Sequence, residues 1–196
     1  MVSGCSLVIL AGGRGRRMGR DKATLSAGDE SLIQRISRRV GAVVDQVIVA
    51  GGQPESAPIG TMAVPDAYPD AGPLAGILAG MRAARTLHIW VVGCDLPDIE
   101  PALGPFMVRA ADGVDAVVPR VGGEPQGVCA VYAVTLAPRI DNLLSSGQRR
   151  VGVLFEACRV RYMDEAELRS VDPELRSFRN LNTPADYEAW LRPSVR

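Results

Sequence analysis

The chain of 196 residues is poor in the residues that most often carry side-chain chemistry, with one histidine, four cysteines and only 5% aromatic residues. Cys5, Cys94, Cys129 and Cys158 are scattered, with no CxxC pair and no histidine companion. This excludes a zinc site and a disulfide framework, and reduced thiols in a cytoplasmic setting are expected. His88, the only histidine, begins an apolar run whose far end lies about 20 Å away at about 3.3 Å per residue, so it reads as structural or surface. No cysteine stands beside it, and a Cys-His nucleophile has no support. Net charge is absent too: 22 basic and 22 acidic residues cancel, which implies neither a nucleic-acid coat nor an acidic partner. No apolar stretch approaches the roughly 20 residues of a membrane helix, and the N-terminus lacks a basic region followed by a long apolar run. Neither membrane nor targeting machinery is expected as a partner.

What is present is a chain that is 47% hydrophobic, enough for a substantial core, and we expect a single domain over residues 1–196. Ser6 to Leu10 is a short apolar run that ends abruptly in Ala11-Gly12-Gly13, as a buried parallel strand does when it feeds a loop. Ser31 to Val43 has Leu32, Ile33, Ile36, Val40 and Val43 along one helical stripe, with Ser31 as cap. Val47 to Val49 predicts a second strand closing at Gly51-Gly52, and Thr61 to Val64 a weaker third. Gly72 to Arg85 predicts a helix with Leu74, Ile77, Leu78 and Met81 inward and Ala75, Gly76, Ala79 and Gly80 permitting close approach to a sheet. Ile89 to Val92 predicts a central strand. Ala116 to Val118 and Val128 to Val134 read as strands around a Gly122-Gly123 turn, the second one a candidate for antiparallel pairing. Leu136 to Leu144, Val151 to Ala157 and Pro184 to Leu191 read as helices, the last with Thr183 before a first-turn proline. Strands alternating with helices predict an α/β fold: a mostly parallel sheet in three layers with helices on both faces. Ligands then bind beyond the C-terminal strand ends.

Two features fall at that edge. The segment 10–22 sets Gly12, Gly13, Gly15 and Gly19 among Arg14, Arg16, Arg17, Arg20 and Lys22, five cations against the single carboxylate of Asp21. Glycines let backbone N–H groups approach a ligand, and clustered guanidinium and ammonium groups neutralise several phosphate charges, so a polyphosphate is the natural guest. Lys22 follows Asp21 rather than glycine, which rules out a P-loop. Met18 stands where a dinucleotide fingerprint needs its third glycine, which rules out that motif. The second feature is Asp95, at the end of Trp90-Val-Val-Gly-Cys-Asp95. A carboxylate there suits a helix cap; it also suits magnesium, which is held by one or two carboxylates together with substrate phosphates and water. Asp66, ahead of the Gly72-Pro73 helix start, fits turn chemistry and ligand contact equally well.

The string Leu-Ala-Gly-Gly-Arg-Gly-Arg-Arg-Met-Gly-Arg-Asp-Lys at 10–22 resembles the signature loop of nucleotidyltransferases that share a Rossmann-like, glycosyltransferase-A type sheet. Asp21-Lys22, Asp70-Ala-Gly-Pro-Leu-Ala-Gly76, Gly147-Gln-Arg-Arg-Val151 and Asn180-Leu-Asn-Thr-Pro184 are similar to the molybdenum cofactor guanylyltransferases. The resemblance runs from residue 7 to residue 190. It implies that Leu10, Ala11, Gly12 and Gly13 hold the base and ribose of GTP and that Arg17 and Lys22 contact its phosphates. It further implies that Asp66, Gly72 and Pro73 line the nucleotide site, that Asp95 binds magnesium, and that Asn180, Asn182, Arg149 and Arg150 serve the acceptor, molybdopterin or its molybdenum form. Recipient molybdoenzymes or their chaperones are the implied protein partners. The chain departs from the family at Ala50-Gly51-Gly52, where asparagine is usual, and in the stretch Glu124 to Tyr132. A CTP-using enzyme, a sugar-phosphate nucleotidyltransferase and a non-catalytic cofactor-delivery protein stand as alternatives.

Overall fold

A row of apolar strand residues sandwiched by two helical layers sets the architecture of the computed structural model, which describes residues 4–11, 26–27, 29–52, 57–66 and 68–192. In chain order the elements are β1 (Cys5–Leu10), β2 (Ser26–Ala27), β3 (Glu30–Ser31), α1 (Leu32–Val40), β4 (Gln46–Ala50), β5 (Met62–Val64), α2 (Pro73–Ala83), β6 (His88–Gly93) and α3 (Leu103–Arg109). There follow β7 (Ala116–Val121), β8 (Glu124–Pro125), β9 (Cys129–Ala133), α4 (Ala137–Ser145), α5 (Val151–Phe155), β10 (Val160–Met163), α6 (Glu165–Arg169) and α7 (Pro184–Leu191). The main sheet runs β10-β7-β9-β6-β1-β4-β5, with β8 folded back on β7. β1 pairs in parallel with both β4 and β6, β4 with β5, and β10 with β7. β9 alone runs against its neighbours β6 and β7 in this path.

Every residue of β1 is buried, and its side chains divide between the two faces as a pleated strand requires. Leu7 and Ile9 join Ile33 and Ile36 of α1 and Leu103 and Met107 of α3 on one side. Val8 and Leu10 join Leu74, Ile77 and Leu78 of α2 and Ile140 and Leu144 of α4 on the other. The three layers expected from the alternating pattern are therefore present. α1 begins where its cap predicts, with Ser31 Oγ accepting from Gln34 N–H and Gln34 Oε1 accepting from Ser31 N–H at 2.7 Å. It stops at Val40, and the expected continuation to Val43 is a 3₁₀ turn instead. α2 likewise closes at Ala83 rather than Arg85. Among the described residues no helix is long and apolar enough to cross a membrane.

Six described elements had no counterpart in the sequence reading: the two-residue strands β2, β3 and β8, and α3, β10 and α6. α6 is marked by a capping box, Asp164 accepting from Glu167 N–H while Glu167 accepts from Asp164 N–H, and this Asp-x-x-Glu spacing is visible in the sequence.

Small residues bring α2 down onto the sheet. A Cβ added at Gly80 would lie 2.6 Å from both methyl groups of Val8, a separation that real side chains do not tolerate. Gly80→Ala is therefore expected to cost about 1–3 kcal/mol of stability by overpacking, seen as a lower urea midpoint with an unchanged denaturant slope. A midpoint equal to that of the wild type would show that α2 can lift from β1 without penalty.

Candidate active site

The C-terminal ends of β1, β4, β5 and β6 meet on one edge of the sheet because all four strands are mutually parallel. Backbone pairing continues past the strand ends: Ala11 N–H donates to the Ala50 carbonyl at 2.9 Å, Gly51 N–H to Val64 at 3.0 Å, and Cys94 N–H to Leu10 at 3.1 Å. Ala11, where the cationic loop begins, is thus flanked by Gly51 on one side and by Cys94-Asp95 on the other. The expectations placed on Gly12, Gly13, Arg17 and Lys22 fall outside the described residues.

Asp95 is half-buried, and its carboxylate folds back over the bare α-carbon of Gly93, where any Cβ would strike Oδ1. Its carbonyl accepts from Leu181 N–H at 2.9 Å. Leu181 is buried, and the exposed Asn180 and Asn182 flank it, so the fold brings the expected acceptor-side asparagines to the residue expected to bind metal. α7 holds them there from both ends. Thr183 caps its start by accepting from Asp186 N–H, Pro184 occupies the first turn, and Trp190 Nε1 near its end donates to Asp98 Oδ2 at 2.8 Å.

Asp66, Gly72 and Pro73 form a second wall, between β5 and α2. A Cβ at Gly76 would sit 2.8 Å from Leu10 Cδ2, 3.5 Å from Asp66 Oδ1 and 3.7 Å from Ala50 Cβ, which sets the Asp66 carboxylate above the ends of β1 and β4. That Oδ1 is buried and has no hydrogen-bond partner among the described residues. Burial raises the Asp66 pKa above the ordinary carboxylate value, since desolvation disfavours the charged form. Gly72 caps α2 with φ 76°, a conformation that favours glycine, and Pro73 follows at the first helical position.

The departure at Gly51-Gly52 has a steric cause. Both residues have positive φ, and a Cβ at Gly52 would lie 3.0 Å from Ala11 Cβ. Only backbone is offered to a ligand at that point. Arg149 stands against the second wall, its Nη1 donating to the Asp70 carbonyl at 3.0 Å, and Arg150 is the cap residue of α5. The departing stretch before β9 is tied in by Gly93 N–H to the Val128 carbonyl at 2.8 Å and by Tyr132 Oη to the Gly127 carbonyl at 2.7 Å. His88 begins β6 at the opposite end from Asp95, and burial lowers its pKa.

A family model of the MobA-like NTP transferase domain matches residues 7–160. The chain belongs to this family. Among MobA-like relatives, a protein of Pelotomaculum thermopropionicum named probable molybdenum cofactor guanylyltransferase is 38% identical over 91% of this chain and 88% of its own. A molybdenum cofactor guanylyltransferase of Syntrophotalea carbinolica is 31% identical over 95% and 90%. The structure of molybdopterin-guanine dinucleotide biosynthesis protein A from Archaeoglobus fulgidus superposes with a TM-score of 0.83 at 26% identity, covering 94% of this chain and 95% of that one.

An open cleft of about 700 Å³ lies elsewhere on this MobA-like fold, lined in part by Arg35, Asp98, Glu174, Arg176 and Trp190. None of the expected site residues lines it. Two of its arginines are engaged by carboxylates of the same cleft, Arg35 with Asp98 at 3.0 Å and Arg176 with Glu174 at 2.9 Å. The sequence reading missed Tyr68, whose hydroxyl donates to Asp141 Oδ1 at 2.8 Å across 73 residues of chain; no local pattern signals such a pairing.

The buried Asp66 carboxylate has a stability consequence. Its folded pKa lies above its unfolded one, so the native state binds more protons in the window between them, and stability falls as pH rises from about 4 through that window. Asp66→Asn is expected to raise the thermal midpoint at about pH 7, and the gain should shrink near pH 4. A variant that loses stability at neutral pH would show that the carboxylate is compensated.

Proposed function

We propose that this chain transfers GMP from GTP to the terminal phosphate of molybdopterin or its molybdenum form, releasing pyrophosphate and making the guanine dinucleotide cofactor. One observation carries the reading: Cys94 N–H on the Leu10 carbonyl joins the root of the cationic loop to the strand end bearing Asp95. The names of the MobA-like relatives support the substrates. One sheet carrying both walls supports a single domain.

The acceptor phosphate is already ionised, so no side chain has to remove a proton. One of its oxygens forms a bond to the α-phosphorus of GTP, and the α–β bridging bond breaks, its electron pair leaving with pyrophosphate. The protein supplies in-line positioning and charge neutralisation. Leu10, Ala11, Gly12 and Gly13 hold base and ribose, Arg17 and Lys22 take the phosphates, and Asp66, Gly72 and Pro73 line the donor side. Arg149, Arg150, Asn180 and Asn182 serve the acceptor.

The donor set fits magnesium. Among the described residues no group of three or more histidine, cysteine, aspartate or glutamate side chains could cage an ion, and magnesium needs only one or two carboxylates when phosphates and water complete its shell. Asp95 would hold it, and the bound ion supplies positive charge to the triphosphate. The cytoplasm is the proposed setting, since the four cysteines are thiols rather than disulfides and thiols stay reduced there. Recipient molybdoenzymes or their chaperones are the proposed protein partners.

Calorimetric titration with GTP, CTP and ATP in magnesium, followed by pyrophosphate release on molybdopterin, tests the reading; preference for CTP would replace guanylyl by cytidylyl transfer. Asp95→Ala is expected to abolish turnover and leave folding intact, and full magnesium-dependent activity in that variant would contradict the metal assignment. Lys22→Ala should slow turnover roughly a hundredfold, about 3 kcal/mol of lost transition-state stabilisation.

A further inference from the structure

Building on the functional reading above, we propose that Tyr68 is a positioning residue of the donor site: its hydroxyl, clasped by Asp141 and Ser145 of α4, fixes the wall that carries Asp66. The segment of residues 68–72 leads from the β5 side of the sheet into α2. Ala71 N–H donates to the Tyr68 carbonyl at 3.2 Å and Ala75 N–H to the Gly72 carbonyl at 3.1 Å. Two of its residues have positive φ, Asp70 at 57° and Gly72 at 76°. For a residue with a Cβ, as at Asp70, this is an uphill conformation, and it persists only where the surroundings over-determine it.

The segment's described side-chain ties include three to α4 and the turn that follows it. Tyr68 Oη donates to Asp141 Oδ1 at 2.8 Å and lies 3.0 Å from Ser145 Oγ. Arg149, just beyond α4, donates to the Asp70 carbonyl at 3.0 Å. The other oxygen of Asp141 meets Arg82 Nη2 of α2 at 2.9 Å, so one carboxylate pins both the helix and the segment leading into it. The packing of α2 on α4 does not need the phenol hydroxyl: Leu74, Ile77, Leu78, Ile140 and Leu144 are buried together beneath. What the hydroxyl adds is the course of the wall, and hence where the half-buried Asp66 carboxylate stands over the ends of β1 and β4. The wall and the 146–150 turn expected to serve the acceptor thus share α4 as a common support.

The test is a double-mutant cycle, with magnesium-GTP titrated into the wild type, Tyr68→Phe, Asp66→Asn and the pair. Tyr68→Phe keeps the ring and should weaken GTP binding about tenfold, the size of one lost hydrogen bond of good geometry. The change should appear in KM for GTP and not in KM for the acceptor, with the thermal midpoint close to that of the wild type. In the Asp66→Asn background the same substitution should have almost no further effect, because coupled residues are not additive. Asp141→Asn still offers an oxygen to Tyr68 and should retain GTP affinity, while Asp141→Ala should lose it as Tyr68→Phe does. Unchanged GTP affinity in Tyr68→Phe, or a loss that adds in full to that of Asp66→Asn, overturns the proposal alone. A wild-type protein that does not bind GTP overturns the functional reading, and this proposal with it.

Discussion

Parallel pairing of β1 with β6, in the register that sets Leu10 beside Gly93, is the constraint from which the site follows. Both strands are buried on both faces, so their side chains are committed to the core and only the backbone beyond their last residues is available for ligands. Residues 11 and 94–95 emerge side by side because the strands run the same way and end level. An antiparallel β6 would have sent Asp95 to the far end of the molecule. Ala11, the root of the cationic loop, and the Cys94-Asp95 turn are thus brought near each other by main-chain hydrogen bonds.

Around that pair the site is assembled largely from backbone and from helix starts. Gly51-Gly52 offers no side chain, Gly72 caps α2 without one, and Leu181 reaches Asp95 through its N–H. Such groups are fixed before a ligand arrives, so little reorganisation is needed when a charged triphosphate binds. The exception is Asp66, a carboxylate kept partly out of water with one oxygen unmatched among the described residues. Holding a carboxylate there costs folding energy, and the donor-side role proposed for Asp66 would give the position its reason.

The order of the central elements was legible because their signals are local. The run of β1 breaks at Ala11-Gly12, the apolar stripe of α2 follows Gly72-Pro73, and Thr183-Pro184 starts a helix at the residue where it forms. Elements held by distant partners were not legible. α3 contains Gly104 and Pro105, which speak against a helix, yet Gly104 is needed because the Trp90 ring of β6 fills the space where its Cβ would be. β10 places Arg161 in solvent and Tyr162 half-buried, and it is a strand because it pairs with β7 at the sheet edge. In the candidate site, Asp95 was visible as the end of an apolar run. The unmatched oxygen of Asp66 and the clasp on Tyr68 arise only when segments far apart in sequence pack together.

The reversed direction of β9 has an effect on how this scaffold can diversify. In a strand running with its neighbours, the connection that leaves it arrives at the ligand-bearing edge; in β9 it is the connection that enters, residues 124–128, that does so. The catalytic edge is therefore supplied by two independent kinds of chain. Outgoing segments of the parallel half leave at Ala11, Gly51 and Cys94, and an incoming hairpin borders them from the other half. A change in the length or chemistry of that hairpin therefore leaves the ends of the parallel strands untouched.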